Sequence, residues 1–61
     1  MKFTATEKLK CLEREVAYRK RVYARMVAEK KMTETLADRQ ISIMEQIADD
    51  YRPQAASELL I

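Results

Sequence analysis

The sequence predicts an all-α fold: an antiparallel two-helix hairpin whose copies dimerise into a four-helix bundle. Strong helix formers dominate the 61 residues, glycine is absent, and the single proline, Pro53, comes late. Apolar residues recur at helical spacing on both sides of residues 30–33, which read Lys-Lys-Met-Thr. The two halves also carry opposite charge. Residues 1–31 hold ten Lys and Arg against four Asp and Glu, and residues 32–61 hold two against six.

The first helix is predicted over about residues 5–30. Thr4 and Glu7 have the spacing of a capping box, in which the threonine hydroxyl accepts from the backbone N–H three residues on and the glutamate reaches back. No helix breaker follows before Lys30. The segment is therefore one uninterrupted helix that ends near the middle of the chain.

The middle of the chain decides between a hairpin and one long helix. A single heptad frame runs through both halves, so a long parallel coiled coil is the alternative architecture. Lys30 and Thr33 would occupy consecutive seam positions of that coiled coil and leave its centre without apolar contact. Thr33 is also a good N-cap, and folding back lays the basic half along the acidic half. These observations favour the hairpin.

The second helix is predicted over about residues 34–52. Proline disfavours helical geometry at the preceding residue, so Pro53 should end the helix at Arg52. Residues 53–61 then form a short C-terminal tail outside the hairpin.

The apolar residues with the best helical spacing are the predicted core. Those of the first helix share a narrow stripe, whereas those of the second span an arc about 160° wide. The predicted core residues are Leu9, Leu12, Val16, Tyr23, Val27, Leu36, Ile41, Met44, Ile47 and Tyr51.

More apolar surface is present than two helices can cover. The arc on the second helix is about twice as wide as a two-helix seam, and the first helix carries a second apolar strip. Chains this short also need a further source of stability, which a partner copy supplies. We therefore expect a homodimer whose interface contains Cys11, Tyr18, Val22, Met26, Leu36, Ile43 and Ile47.

Few residues suit catalysis, cofactor binding or metal binding. Histidine and glycine are absent, which removes the usual general base and the phosphate-cradling loop, and the lone Cys11 fits a helix contact better than a nucleophile. Most of the carboxylates of the second helix are expected on its solvent-exposed side, pointing away from the apolar arc, and not in a metal site. We therefore expect no catalytic, cofactor-binding or metal-binding residue, and a protein that is not an enzyme.

One basic stripe on the first helix is a candidate contact for a partner or for nucleic acid. Its residues lie within about a 60° arc, nearly opposite the main apolar stripe. Arginines in such a row can pair with phosphates, so nucleic-acid binding is the alternative function. The stripe consists of Lys10, Arg14, Arg21 and Arg25.

The segments "MKFTATEKLKCLEREVAYRKRVYARMV", "KMT" and "ADRQISIMEQIADDYR" together resemble a group of small helical proteins encoded by phages and prophages of Proteobacteria. The resemblance covers about residues 1–52. It implies a helical protein without established activity whose partner is a host or phage protein, and it transfers no site residue. A lone thiol, no visible signal sequence and no apolar run long enough for a membrane span predict a cytoplasmic protein that does not enter membranes.

Overall fold

The protein is an antiparallel pair of helices. A computed structural model describes residues 2–60 and places α1 at Ala5–Ala28 and α2 at Glu34–Glu58, with no strand among those residues. The two helices pack along their length in a body 47 Å long and 18 Å across in each other direction. The predicted hairpin is confirmed, and the single long helix is wrong.

Both helices begin at the predicted caps. The Thr4 hydroxyl accepts from the Glu7 backbone N–H at 3.1 Å, and the Glu7 carboxylate accepts from the Thr4 backbone N–H at 3.3 Å. Thr33 caps α2 by accepting from the Leu36 backbone N–H at 3.2 Å. The side chains that can satisfy free N–H groups thus fix where each helix starts.

The turn closes without glycine because a lysine adopts the left-handed conformation. Lys30 has φ 61°, its backbone N–H donates to the Val27 carbonyl at 3.0 Å, and the Lys31 N–H donates to the Met26 carbonyl at 2.8 Å. These two bonds form a Schellman motif, in which the left-handed position is usually glycine. Helix α1 therefore ends two residues earlier than predicted, since a left-handed residue cannot continue it.

Helix α2 continues through the proline, which corrects the predicted end at residue 52 and the predicted tail 53–61. Pro53 lies inside α2 with its side chain exposed, and the helix runs on to Glu58. A proline inside a helix costs about 3 kcal/mol because a hydrogen bond is lost and the ring crowds the preceding turn. Two contacts beyond the proline offset this cost. Ala55 is buried against α1, and the Glu58 side chain binds the N-terminus of α1. Of the predicted tail only residues 59–60 follow the helix, and Ile61 lies outside the described residues.

The carboxylate of Glu58 completes the N-terminus of α1. It accepts from the Ala5 backbone N–H at 2.8 Å, from the Thr6 backbone N–H at 3.0 Å and from the Thr6 hydroxyl at 2.6 Å. With Thr4 holding the next N–H, each of the first three N–H groups of α1 has an acceptor. The bonds from Thr6 first, and then the bond from Ala5, hold the pKa of Glu58 below its usual value.

The centre of the helix contact is built mainly from alanine, which corrects the predicted core. Only Val16 of the predicted core residues is buried, while most of the others are half-buried beside the contact. Leu36 and Ile47 are 45% and 40% exposed. Small residues let two helix backbones approach closely, and larger side chains then flank the contact on either side. The buried residues are Ala5, Val16, Ala37, Ala48 and Ala55.

Glycine at the left-handed position of the turn should stabilise the hairpin. Lys30→Gly removes the clash between Cβ and the backbone, and the expected gain in the free energy of unfolding is about 1 kcal/mol, measured by urea denaturation. Glu29→Gly is the matched control, because Glu29 has φ −87° and glycine there only adds freedom to the unfolded chain. If the free energy of unfolding of Lys30→Gly were equal to or lower than that of Glu29→Gly, the strain at Lys30 would not limit stability.

The Glu58 contact should make stability depend on pH. A lowered folded-state pKa means that the carboxylate stabilises the fold above its ordinary pKa of 4.5, and that this contribution is lost as the pH falls through the folded-state value. Glu58→Gln should therefore lower the Tm at pH 7, and the difference from the original protein should shrink towards pH 3. Asp38→Asn, which removes an exposed carboxylate that contacts no helix terminus, is the control. A Tm difference that stays constant with pH would contradict the contact.

Candidate interaction surface

One side of the hairpin is bridged by ion pairs between the helices. Glu13 of α1 pairs with Arg52 of α2 at 3.0 Å, and Lys20 pairs with Glu45 at 3.2 Å. All four side chains are about half exposed, so these pairs contribute little to stability. They do define the polar side of the molecule and the register between the helices.

The opposite side of the hairpin carries four of the seven exposed large apolar residues of the described chain, and the other three, Phe3, Leu59 and Leu60, lie at the end of the hairpin away from the turn. Tyr18 and Val22 each lie two residues from Lys20, which is about 200° around the helix from the ion pair. Ile43 and Ile47 stand in the same relation to Glu45 on α2. Both helices therefore turn an apolar row towards the same side of the hairpin.

We call this side the apolar face. Tyr18 is 53% exposed, Leu36 45%, Ile43 43% and Ile47 40%, while Val22 and Met26 are half-buried. In both ion pairs between the helices the two residue numbers add to 65. Because the helices are antiparallel, other residues whose numbers add to 65 also lie at the same height along the hairpin. Tyr18 therefore lies level with Ile47, and Val22 lies level with Ile43. The apolar face consists of Tyr18, Val22 and Met26 on α1 and Leu36, Ile43 and Ile47 on α2.

The structure thus brings together six of the seven residues predicted for an oligomer interface. The seventh, Cys11, is exposed and lies on the same side but further towards the N-terminus of α1, level with Gln54. It lies beyond the six apolar residues, at the end of the hairpin away from the turn.

A paired arginine beside the apolar face was not predicted. The Arg19 guanidinium donates to the Glu15 carboxylate at 3.1 Å and to the Tyr23 hydroxyl at 2.9 Å. The bond to Tyr23, and then the Glu15 carboxylate, raise the pKa of Arg19 above its usual value. The sequence signal for this group is a Glu–Arg pair at i,i+4, which stabilises helices and is common on their surfaces.

The basic stripe lies on the outer side of α1. Its four residues are exposed, and none of them forms an ion pair within the described part of the chain. The Arg21 guanidinium lies 5.8 Å from the centre of the Tyr18 ring, within the range of a cation–π interaction. The stripe therefore borders the apolar face at Tyr18.

Residues 2–60 contain no group of three His, Cys, Asp or Glu side chains that could hold a metal ion. Neither α1 nor α2 is long and apolar enough to cross a membrane. Comparison with protein families, with curated proteins and with solved structures finds no match to this chain. The resemblance to phage-encoded proteins stays a prediction.

Proposed function

We propose that this protein is a non-enzymatic interaction module that self-associates through the apolar face to form a four-helix bundle. The observation that carries the proposal is the division of the hairpin into two sides. One side is bridged by the Glu13–Arg52 and Lys20–Glu45 ion pairs, and the other presents large apolar side chains to solvent. A second hairpin with the same face would cover these side chains, as in dimeric four-helix bundles.

The alanine-lined contact leaves the hairpin with little buried apolar volume. None of the described large side chains is completely buried, and the residues that are buried are four alanines and one valine. Burial of apolar area contributes about 25 cal/mol per Å², so covering the apolar face adds to the stability of the fold. The Cα atoms extend over 47 by 18 Å, so one whole long side of the hairpin, of which the apolar face takes up about a third of the length, has a projected area of about 850 Å². That area is similar to the roughly 800 Å² that each partner buries in a standard interface.

The charged group beside the apolar face can be covered without leaving a charge unpaired. Burying an unpartnered charge is strongly unfavourable, whereas a charge that keeps its ion pair and hydrogen bonds costs much less. Arg19 already has both Glu15 and Tyr23 as partners within the same hairpin. The predicted host or phage partner would then be contacted by surfaces left free after dimerisation, among them Lys10, Arg21 and Arg25 of the basic stripe.

Self-association should be abolished by a charge in the apolar face. Ile43→Lys should give a monomer in sedimentation equilibrium at concentrations where the original protein is a dimer, because the lysine would be buried without a counterion. The Tm of the original protein should rise with its concentration, and the Tm of the variant should not.

Gln46→Lys is the matched control for this experiment. It adds the same charge to α2 three residues away, on the outer side of the helix, where the residue is exposed. It should therefore leave the dimer intact. A monomeric original protein at high micromolar concentration, with a Tm independent of concentration, would refute the proposal.

Nucleic-acid binding is the second candidate function. Its supporting observation is that Lys10, Arg14, Arg21 and Arg25 are exposed and form no ion pair with carboxylates within the described residues. Such a row can follow a phosphate backbone, and each phosphate contact adds about one unit to the slope of log affinity against log salt.

The salt dependence of binding to random duplex DNA distinguishes the two candidates. If the stripe binds phosphates, the affinity should fall steeply as salt rises, and Arg14→Glu with Arg21→Glu should lose it while keeping the helical circular dichroism spectrum. Lys2→Glu with Lys31→Glu makes the same change in net charge outside the stripe and should lose less. No retention on heparin at low salt would exclude this function.

A further inference from the structure

We propose that two hairpins pair through their apolar faces with both turns at the same end, so that α1 of each copy packs against α2 of the other. This inference rests on the proposed self-association and specifies its geometry. Two symmetric arrangements can bring the apolar faces together. A twofold axis parallel to the helices places α1 against the α2 of the partner copy, and an axis perpendicular to the helices within the interface places α1 against α1.

The charge of the two helices favours the first arrangement. Helix α1 holds seven Lys and Arg against three Glu, a net charge of +4. Helix α2 holds two Arg against six Asp and Glu, a net charge of −4. Neighbouring helices in a bundle lie about 8–10 Å apart, which is close to the screening length of about 8 Å at physiological salt. Contact of α1 with α1 would set two basic helices side by side, whereas the proposed pairing alternates basic and acidic helices around the bundle.

A specific pair of residues fits the proposed arrangement. Arg14 extends the row of Tyr18 and Val22 by one further helical turn, and Asp50 lies one turn beyond Ile47 on α2. By the register of the ion pairs within the hairpin, Arg14 lies level with Tyr51, one residue from Asp50. With the turns at the same end, the Arg14 side chain of each copy therefore lies beside the Asp50 side chain of the other.

Neither member of this pair has an ion-pair partner within the described residues of one hairpin. The same arrangement brings Arg25 near Arg39 of the partner copy. Each favourable Arg14–Asp50 contact is therefore accompanied by one contact between like charges. The opposite arrangement, centred on the apolar face, is less favourable. It sets the basic α1 of each copy, with its net charge of +4, beside the same helix of the other copy.

Disulfide trapping distinguishes the two arrangements. In the proposed dimer the exposed Cys11 faces residue 54 of the partner copy at the same level. Gln54→Cys should therefore form a disulfide-linked dimer with the native thiol when it is oxidised, and most of the chain should migrate as a dimer on a non-reducing gel. In the opposite arrangement these two positions lie far apart, and no dimer would be trapped.

The matched variant reports on the opposite arrangement. Val22→Cys combined with Cys11→Ser places one thiol at the centre of the α1 row, where it meets its own copy only if α1 packs against α1. We expect this variant to stay unlinked under the same oxidation. Trapping through position 22 instead of position 54 would overturn the pairing. So would the absence of both linked dimers from a protein that sediments as a dimer. A protein that sediments as a monomer would refute self-association itself, so the two failures can be told apart.

Discussion

The close contact between α1 and α2 rests on small side chains, and most other features of the molecule depend on it. The buried residues of this contact are Ala5 and Val16 of α1 and Ala37, Ala48 and Ala55 of α2. The larger apolar side chains of the described residues, including the leucines, isoleucines and tyrosines, are half-buried or exposed. The hairpin therefore cannot bury its own large apolar residues. The surface that this leaves exposed is the basis for the proposed self-association.

The two ends of the hairpin are closed by different devices. At the turn, Lys30 adopts a left-handed conformation so that the Met26 and Val27 carbonyls of α1 accept hydrogen bonds within a Schellman motif. At the other end, Glu58 of α2 binds the first N–H groups of α1. A carboxylate is unfavourable at the C-terminus of its own helix but favourable at the N-terminus of another. The antiparallel arrangement therefore turns a local cost into a contact between the helices.

The charges divide the surface in a way that agrees with the proposed dimer. On the polar side of the hairpin, Lys20 and Glu45 pair across the contact. On the other side the rows of apolar residues are bordered by Arg14 and Asp50, which have no partner within the described residues of the hairpin. In the proposed dimer a second copy would supply apolar cover and opposite charge at the same time.

Local signals in the sequence determined the helical fold, both N-caps, the reversal near Met32 and the residues of the apolar face. Each of these follows from propensity, spacing or a cap that acts within a few residues. The tertiary structure decided what depends on distant residues. Judged from neighbouring residues alone, the second helix ends before Pro53. It continues because Ala55 is buried in the hairpin and because Glu58 binds the N-terminus of α1. The residues that Glu58 binds, Thr6 and Ala5, are 52 and 53 positions away in the sequence. Hydrophobicity likewise pointed to the large residues as the core, but a pair of helices has too few neighbours to cover large side chains, and the buried residues of the described chain are four alanines and one valine.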